Sequence, residues 1–470
     1  VFQLGVDIFN NGSNGNYDKF LEYLNQGPYD IWLTRKYQNP QDKILSSQLE
    51  PFYHSQILTN NLQGLRSLVI NPARYGNGRD MADGLEWGNC ANDYVDYWSG
   101  NLLSSDISQL PNIETLVARD SVLDGYCTPM TYFDVTGLTS LKKLDLRNNR
   151  LLILNVPTSG SSTPAITELD LSKNLLGYGP GSEGLWTTEI GYPTPSDTLD
   201  LGTMQASLEI LNVSDNGSGL KKIKGMDDWA SVWPNLKTLL VGYSYSFFDA
   251  PVTALRFSAT VPELQHLALN ETALTKGIRL SSGSETSSSY KLKTITLENS
   301  NISPIAGKFI LNDGTQEIDY SDLHWINMEN TGLSNINLGI NNFTDTWNGD
   351  GFWYEWGDKI LNLEHITVKN CTSLNWLELP KPSESFDTSD KKYLKDINIS
   401  GSSLGGRISE FLAQEAFSPT YYPTNHLLQV DVSSLVDSSG NNVPVSTYLD
   451  IINATISEWF SEGKYINFMY

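Results

Sequence analysis

Two of the five histidines in this chain, His266 and His365, occupy the same place in a recurring six-residue pattern. Histidine is the side chain best suited to acid–base chemistry near neutral pH, and it is a common metal ligand. Three steps of the pattern separate the two residues. If each copy forms one strand of a sheet, at roughly 4.8 Å per strand they stand about 15 Å apart. That separation is too large for a shared zinc ion, so we interpret both as isolated, solvent-facing side chains.

Two glycine-rich stretches imitate ligand-binding loops. Residues Asp7–Asp18 have the spacing of a calcium loop, but Phe9 occupies the position of its third ligand. Residues Gly179–Gly184 match G-x-G-x-x-G, but Pro180 and the Thr/Pro-rich run that follows indicate a loop where a dinucleotide site needs a helix. We interpret both stretches as turns, and leave open whether Ca²⁺ binds near Asp7–Asp18.

Motifs of the common enzyme classes are missing from the sequence. There is no G-x-S-x-G elbow, no phosphate-binding G-x-x-x-x-G-K-[ST] loop, no H-E-x-x-H and no pair of C-x-x-C motifs. Acidic pairs such as Asp80 with Asp83 and Asp345 with Asp350 are expected by chance among 54 acidic residues. The sequence therefore predicts a protein that is not an enzyme, with no catalytic residue, no cofactor and no metal site.

The elements that must position these residues follow from one repeated pattern. Four copies of L-x-x-L-x-L start 28 residues apart, and a small polar residue follows each copy. Further copies start at Leu141, Ile166, Leu323, Leu363 and Leu394, and weaker ones at Leu65, Ile113 and Leu427. A fixed period of this length is typical of stacked repeats. The four regular copies are Leu208–Val213, Leu236–Val241, Leu264–Leu269 and Leu292–Leu297.

These residues resemble the leucine-rich repeat, L-x-x-L-x-L-x-x-N-x-L. The resemblance is fullest at Leu141–Leu151 and Ile166–Leu176, where Asn149 and Asn174 fill the asparagine position. It implies an α/β solenoid: a right-handed horseshoe with a parallel β-sheet on its concave face, mixed short strands and helices on its convex face, and a cap at each end. In such a stack the leucines point inward, and the small polar residue bonds backbone groups of the next coil. The resemblance is closest to bacterial internalin-like surface proteins.

The spacing of the copies divides the chain into three parts. Residues 1–61 are predicted to form an N-terminal cap, and residues 62–435 a solenoid of about 12 coils. Insertions interrupt the solenoid near residues 76–105, 177–197 and 341–357. Residues 436–470 are predicted to form a C-terminal cap, with a helix at Ser446–Phe460 whose apolar face is Leu449, Ile452, Ile456, Trp459 and Phe460.

The backs of the coils carry a second pattern. Alternating apolar residues follow several copies and predict short extended segments, as in Leu154-Asn-Val156 and Leu377-Glu-Leu379. Similar segments include Ile278–Leu280, Ile336–Leu338 and, at a longer offset, Leu255–Phe257. Elsewhere the back is predicted to be helical, at Asp227–Val232 and Gly357–Leu361.

Composition narrows the choice of partners. A formal charge of −23 opposes binding to nucleic acid or to anionic lipid, because both need clustered Lys and Arg. No apolar run approaches the roughly 18 residues that span a bilayer. We expect a monomer that is secreted or held at the cell surface and whose export signal has been removed. The low number of cysteines is typical of an exported bacterial protein. Cys371 fills the asparagine position of its repeat and is expected to be a buried thiol, whereas pairing of Cys90 with Cys127 stays open.

The predicted function is non-enzymatic recognition or adhesion through the concave face, with an unknown protein or glycan as partner. Residues between the motif leucines project from that face. For Trp325, ligand binding and local packing against a neighbouring side chain both stay open. The proposed contact patch consists of Tyr243, His266, Glu298, Trp325, Glu329, His365 and Lys369.

The alternative is a polysaccharide-binding component, less plausibly a carbohydrate-active enzyme, that uses aromatic insertion loops. One insertion spans Trp87–Trp98, and the other carries Trp347, Phe352, Trp353 and Trp356. Aromatic rings beside Asn, Asp and Gly can stack on a sugar ring, but we favour the interpretation that these rings fill the wider core of an enlarged coil.

Overall fold

A computed structural model describes part of the chain in two compact units, residues 1–224 and 225–470. In the first unit the described residues are 30–34, 66–71, 112–118, 132–147, 149, 151–157, 164–177, 196–216 and 219–224. In the second they are 225–226, 231–242, 257–271, 278–281, 288–289, 291–300, 308–309, 318–319, 322–338, 362–380 and 392–470.

The first unit is built on parallel strands. Six of its ten described strands pair side by side in the order β1, β2, β3, β5, β7 and β9. Its strands are β1 Asp30–Thr34, β2 Ser67–Asn71, β3 Thr115–Ala118, β4 Tyr132–Asp134, β5 Lys143–Asp145, β6 Ile153–Asn155, β7 Glu168–Asp170, β8 Thr198–Leu199, β9 Ile210–Asn212 and β10 Lys222–Ile223. A short 3₁₀ helix spans Gly202–Ala206.

The second unit repeats this arrangement. Eight strands form a parallel sheet in the order β11, β13, β16, β19, β21, β23, β24 and β25. Its strands are β11 Thr238–Leu240, β12 Phe257–Thr260, β13 His266–Ala268, β14 Ile278–Ser281, β15 Ser288–Ser289, β16 Thr294–Thr296, β17 Lys308–Phe309, β18 Ile318–Asp319, β19 Trp325–Asn327, β20 Asn335–Asn337, β21 His365–Thr367, β22 Trp376–Glu378, β23 Asp396–Asn398, β24 Leu427–Asp431 and β25 Tyr465–Met469.

A second set of short parallel strands follows the main ones along the chain. In the first unit β4 pairs with β6, and β8 with β10; in the second, β12 pairs with β14, β15 with β18, and β17 with β20 and β20 with β22. The extended segments predicted behind the coils are therefore confirmed where they are described. Of the predicted helix at Asp227–Val232, Ser231 and Val232 are described and are not helical; the helix predicted at Gly357–Leu361 lies outside the described residues.

The motif leucines form the core. On β13, Leu267 lies between half-buried His266 and Ala268, and on β19 Ile326 lies between Trp325 and Asn327. Leu264, Leu267 and Leu269 are all at most 1% exposed. The period of two along each strand puts these side chains on one face, where the neighbouring coils cover them. The predicted inward register is confirmed for the described copies from Ile113 to Leu394.

In several copies the main strand is followed by a turn that holds a buried polar side chain. Asn174 is almost fully buried; its Nδ2 donates to the carbonyls of Leu171 and Leu146, and its Oδ1 accepts from Asn149 and Leu151. Leu146, Asn149 and Leu151 belong to the coil that precedes Asn174, whereas the resemblance implied bonds to the next coil. Cys371 is a buried free thiol, as predicted, and its Sγ donates to the carbonyl of Met328 in the preceding coil.

The residue before the buried polar position has a left-handed backbone. Asn299, Asn330 and Asn370 have φ of 56°, 56° and 57°, and Gly401 has φ of 66°. Asparagine and glycine tolerate this conformation better than other residues. Lys173, Asp215, Glu271 and Ser434 adopt it in other copies, so the turn is imposed by the stack even where the residue is unsuited to it.

The C-terminal residues add two strands and two helices. Helix α1 is Ile408–Leu412 and helix α2 is Leu449–Ser461; short 3₁₀ helices lie at Ser403–Arg407, Glu415–Phe417, Pro419–Tyr421 and Val445–Thr447. Helix α2 matches the predicted helix in position, but its buried face is different. Ile452 and Trp459 are fully buried, whereas Ile456 is 36% and Phe460 70% exposed. The buried stripe instead contains Tyr448, Ile452, half-buried Thr455 and Trp459.

Leu427 also departs from the prediction. It was expected to be an inward motif leucine, but it is 48% exposed, and Leu428 is buried instead. The reason is the strict alternation of β24, which pairs with β25 over five residues and places Leu427 opposite exposed Tyr465. The described part of the chain is thus a solenoid-like stack of parallel strands with few helices, and none of those helices is long and apolar enough to cross a membrane.

Candidate binding surface

The side of the second unit's sheet opposite the leucine core is here called the open face. Strand pairing places one outward residue of each strand in a continuous row, because Thr294 is the register partner of Trp325, Trp325 of His365, and His365 of Asp396. His266 extends the row on the other side of Thr294. The sheet therefore assembles this row from five copies of the repeat, which start 28 to 40 residues apart in the sequence.

Trp325 is more exposed than either of its register partners on the adjacent strands. Its residue surface is 40% exposed, whereas Thr294 and His365 on the adjacent strands are half-buried. The indole is therefore held on a backbone that is bonded to both neighbouring strands and still presents a large part of its surface to solvent. Such an anchor loses little conformational freedom when a ligand covers it.

Two histidines lie in the row, one on each side of Trp325, and each is held by the side chain of a neighbouring residue in the row. The Nδ1 atom of His266 lies 2.9 Å from the hydroxyl of Thr294, the adjacent residue in the row. Burial lowers the pKa of the His266 imidazole, and the charges of Lys293 and His324 lower it further. The ring of His266 is therefore biased toward its neutral form.

His365 forms the corresponding pair with an acid. Its Nδ1 atom contacts Oδ2 of Asp396 on the next strand. Because an ionised carboxylate can only accept, Nδ1 carries the proton in this contact. In a neutral ring, Nε2 is then a hydrogen-bond acceptor, fixed in place by the contact on the opposite side of the imidazole.

Charged residues lie where the strands end. The Nζ atom of Lys369 is 3.0 Å from Oε1 of Glu329, which follows the neighbouring strand β19. This hydrogen bond and the carboxylate charge raise the pKa of Lys369, and Asp431 and Glu298 raise it further. The left-handed residues Asn330 and Asn370 follow directly and turn the chain away, so Glu329 and Lys369 mark the edge of the open face.

The amide of Asn327 lies between the row and this charged edge. Its Oδ1 accepts a 3.0 Å hydrogen bond from the backbone N–H of Glu329. Asn398 makes the same bond to Ser400, also at 3.0 Å. The bond to the backbone orients the amide in both residues, and its NH₂ group can act as a hydrogen-bond donor.

A different arrangement lies at the other edge of the sheet strands, where they begin. Glu364 is buried, and Lys392 and Lys395 form ion pairs with its carboxylate. Burial alone would raise the pKa of Glu364, but the hydrogen bonds from Lys395 and Lys392 outweigh it and lower the pKa below its ordinary value. This cluster is a satisfied packing feature, so we do not include it in the candidate surface.

The structure brings together most of the predicted patch. Glu298, Trp325, Glu329, His365 and Lys369 lie on three consecutive strands or shortly after them, and His266 lies one strand further. Strands β16 and β19 lie between the strands of His266 and His365, so the predicted separation of three strand steps is confirmed. The described residues contain no cluster of three metal-ligating side chains.

Several predicted features lie outside the described residues. They are Tyr243, the insertion residues Trp347, Phe352, Trp353 and Trp356, the insertion Trp87–Trp98, the stretches Asp7–Asp18 and Gly179–Gly184, and Cys90 and Cys127.

Sequence reasoning missed the side-chain partners within the row. Thr294 and Asp396 stand at the same motif position as His266 and His365, one copy later, so aligning the copies could have paired them. It also missed an apolar cluster in which the rings of Phe460 and Tyr465 lie 6.5 Å apart, with Leu427 opposite Tyr465. Comparison with protein families, with curated proteins and with solved structures finds no match to this chain.

Proposed function

We propose that this protein is a non-enzymatic recognition or adhesion protein that binds its partner through the open face of the second unit's sheet. The single observation that carries the proposal is the placement of Trp325. Its indole is 40% exposed on a rigid strand, with two oriented histidines within two strands of it. Exposed aromatic residues on rigid scaffolds dominate binding energies at interfaces.

The proposal includes the leucine-rich repeat class. The inward leucines, the buried asparagine side chains that bond the preceding coil and the second set of short strands support a leucine-rich repeat solenoid. The right-handed horseshoe shape, with the open face on its concave side, is part of the proposal and is what the resemblance implies. We further propose that the protein is monomeric, which a net charge of −23 favours because like-charged molecules repel each other. We also propose that it is exported to the cell surface or secreted.

The test is a binding screen of the purified protein against arrayed extracellular proteins and glycans, with variants run in parallel. Trp325→Ala is expected to weaken the specific interaction by about tenfold or more, as for a central anchor residue. Ile210→Ala is the matched control, because Ile210 is a similarly exposed apolar residue at the same motif position in the first unit. A specific interaction that survives Trp325→Ala unchanged would contradict the proposed surface.

A further inference from the structure

We infer that the ligand of the open face is a neutral polysaccharide, with the indole of Trp325 as the platform on which one sugar ring stacks. This inference rests on the proposed function, since it assigns a chemical class to the ligand of the same surface. A pyranose ring has an apolar face made of C–H groups and a rim of hydroxyls. It therefore requires one exposed aromatic ring surrounded by hydrogen-bonding groups.

The residues around Trp325 have this composition. Its register partners on the adjacent strands are Thr294 and His365, and the next outward residues are Thr296, Asn327 and Thr367. All five are half-buried and polar. The core of a protein–protein interface is instead a contiguous apolar area with a polar rim. The immediate described neighbourhood of Trp325 provides one aromatic ring and no such area.

The chain itself offers the contrast. At the end of the same sheet, Phe460, Tyr465 and Leu427 lie side by side and are each 47% exposed or more. That cluster has the contiguous apolar character which Trp325 lacks. The two surfaces are chemically different, and the one around Trp325 fits a hydroxyl-rich ligand.

The polar groups near the indole are oriented before a ligand arrives. The Nδ1 atom of His365 is held by Asp396, so the ring is oriented and Nε2 can bond a sugar hydroxyl, as an acceptor when the ring is neutral. The Oδ1 atom of Asn327 is held by the backbone of Glu329, so its NH₂ group can donate to one. Sugar hydroxyls both donate and accept, and side chains fixed in advance lower the entropic cost of binding them.

Charge decides between neutral and acidic polysaccharides. Glu298, Glu329, Asp396 and Asp431 lie on or beside this part of the open face, and the charge of Lys369 is already used by Glu329. These four carboxylates outnumber Lys369 at this edge, and the chain as a whole carries −23. A uronic-acid polymer would be repelled by this field, whereas an uncharged polymer would not.

The experiment is affinity electrophoresis of the purified full chain in native gels that contain a soluble polysaccharide. The neutral probes are mannan, galactomannan, xylan and a β-glucan, and the acidic probe is polygalacturonate. We expect at least one neutral probe to retard the protein and polygalacturonate to leave its mobility unchanged. The dissociation constant for the neutral probe should rise about tenfold or more in Trp325→Ala. Trp325→Phe, which keeps an aromatic face, should lose about threefold or less.

Folding of each variant is checked by circular dichroism, and Ile210→Ala serves as the control. His365→Ala provides a second test that keeps the indole in place, and it should weaken retention through loss of the oriented Nε2 atom. Retention that is unaffected by both Trp325→Ala and His365→Ala would overturn the inference. So would equal retention by polygalacturonate, or no retention by any neutral probe.

The outcomes separate this inference from the proposed function. A protein ligand whose binding is lost in Trp325→Ala, with no retention by any polysaccharide, would overturn the inference and leave the recognition surface standing. The absence of any interaction sensitive to Trp325→Ala, with protein or glycan, would overturn both.

Discussion

The side-chain oxygen of Asn174 accepts a 2.9 Å hydrogen bond from the backbone N–H of Leu151 in the preceding copy of the repeat. The same side chain donates to the carbonyl of Leu146 in that copy, at 3.0 Å. One buried amide therefore joins two successive coils through hydrogen bonds to the backbone of both.

Asn174→Ala should destabilise the first unit strongly. It leaves backbone groups of Asn149, Leu151 and Leu146 buried with a bond missing, and each such group costs about 1–3 kcal/mol. We expect a loss of about 3 kcal/mol in the free energy of unfolding, measured by urea denaturation. The control is Asn155→Ala, at a half-buried position of the same unit, which should cost less than about 1 kcal/mol. Equal losses of unfolding free energy in the two variants would show that the hydrogen bonds of the buried asparagine add no stability of their own.

Glu271→Asn should stabilise the second unit. Glu271 has φ of 53°, in the left-handed region that asparagine occupies at the same position in Asn299, Asn330 and Asn370. Asparagine relieves part of the roughly 1–2 kcal/mol that this conformation costs other residues. We expect a gain of about 0.5–1 kcal/mol in unfolding free energy. The reciprocal change, Asn370→Ala, should destabilise. A loss of stability in Glu271→Asn would indicate that the glutamate side chain compensates for its own backbone.

Adjacent residues of helix α2 should respond very differently to truncation. Trp459 is fully buried, and its Nε1 donates to the carbonyl of Phe417 at 2.7 Å, whereas Phe460 is 70% exposed. Trp459→Ala is expected to cost about 3–5 kcal/mol through lost burial and a cavity. Phe460→Ala should change stability by less than about 1 kcal/mol. Thermal or urea unfolding of both variants tests this, and similar costs would mean that the helix is rotated from the orientation described.

The stability of the second unit should fall as the pH drops below about 6.5. Burial lowers the pKa of both His266 and His426 in the folded chain, with Lys293 and His324 adding to the first and Lys395 to the second. The unfolded state therefore binds more protons between the ordinary value of 6.5 and the lowered folded value, so stability rises with pH across that window.

The carboxylates act in a lower range. Glu364 has a lowered pKa, so its contribution is present above its unfolded value of 4.5 and is lost as the pH falls through the folded value. Urea midpoints at about pH 7.5, 6 and 5 should decline in the unaltered chain and decline less in a His266→Gln/His426→Gln variant. Identical declines in the two chains would show that neither histidine is responsible.

The positions of the main strands and of the core were predictable from the sequence, because both depend on a local pattern. An L-x-x-L-x-L segment has one apolar face, and a stack of such segments is the way to bury it. Leu267 and Ile326 are buried for this reason. The short strands β6 and β22 were predictable in the same way, from alternating apolar residues.

The composition of the open face around Trp325 was only partly predictable. The outward row followed from the period of two, but the side-chain pairs within it did not. His266 with Thr294 and His365 with Asp396 are separated by 28 and 31 residues, and Trp325 and His365 by a longer, interrupted step. Aligning the copies gives the register of the row, and Trp325 is paired with His365 across the insertion as that alignment predicts. Whether two facing side chains bond to each other depends on their rotamers, which the repeat pattern does not specify.

The sequence by itself determined the inward face of the regular copies, because an L-x-x-L-x-L strand has a single apolar face. The tertiary structure decided what surrounds Trp325, which face of helix α2 is buried, and why Leu427 is exposed. These outcomes depend on the packing of neighbouring elements: β25 aligns Tyr465 with Leu427, and the helix rotates so that Ile452 and Trp459 meet the core. An apolar residue in a repeat pattern specifies that it can be buried, and only the neighbouring coil determines whether it is.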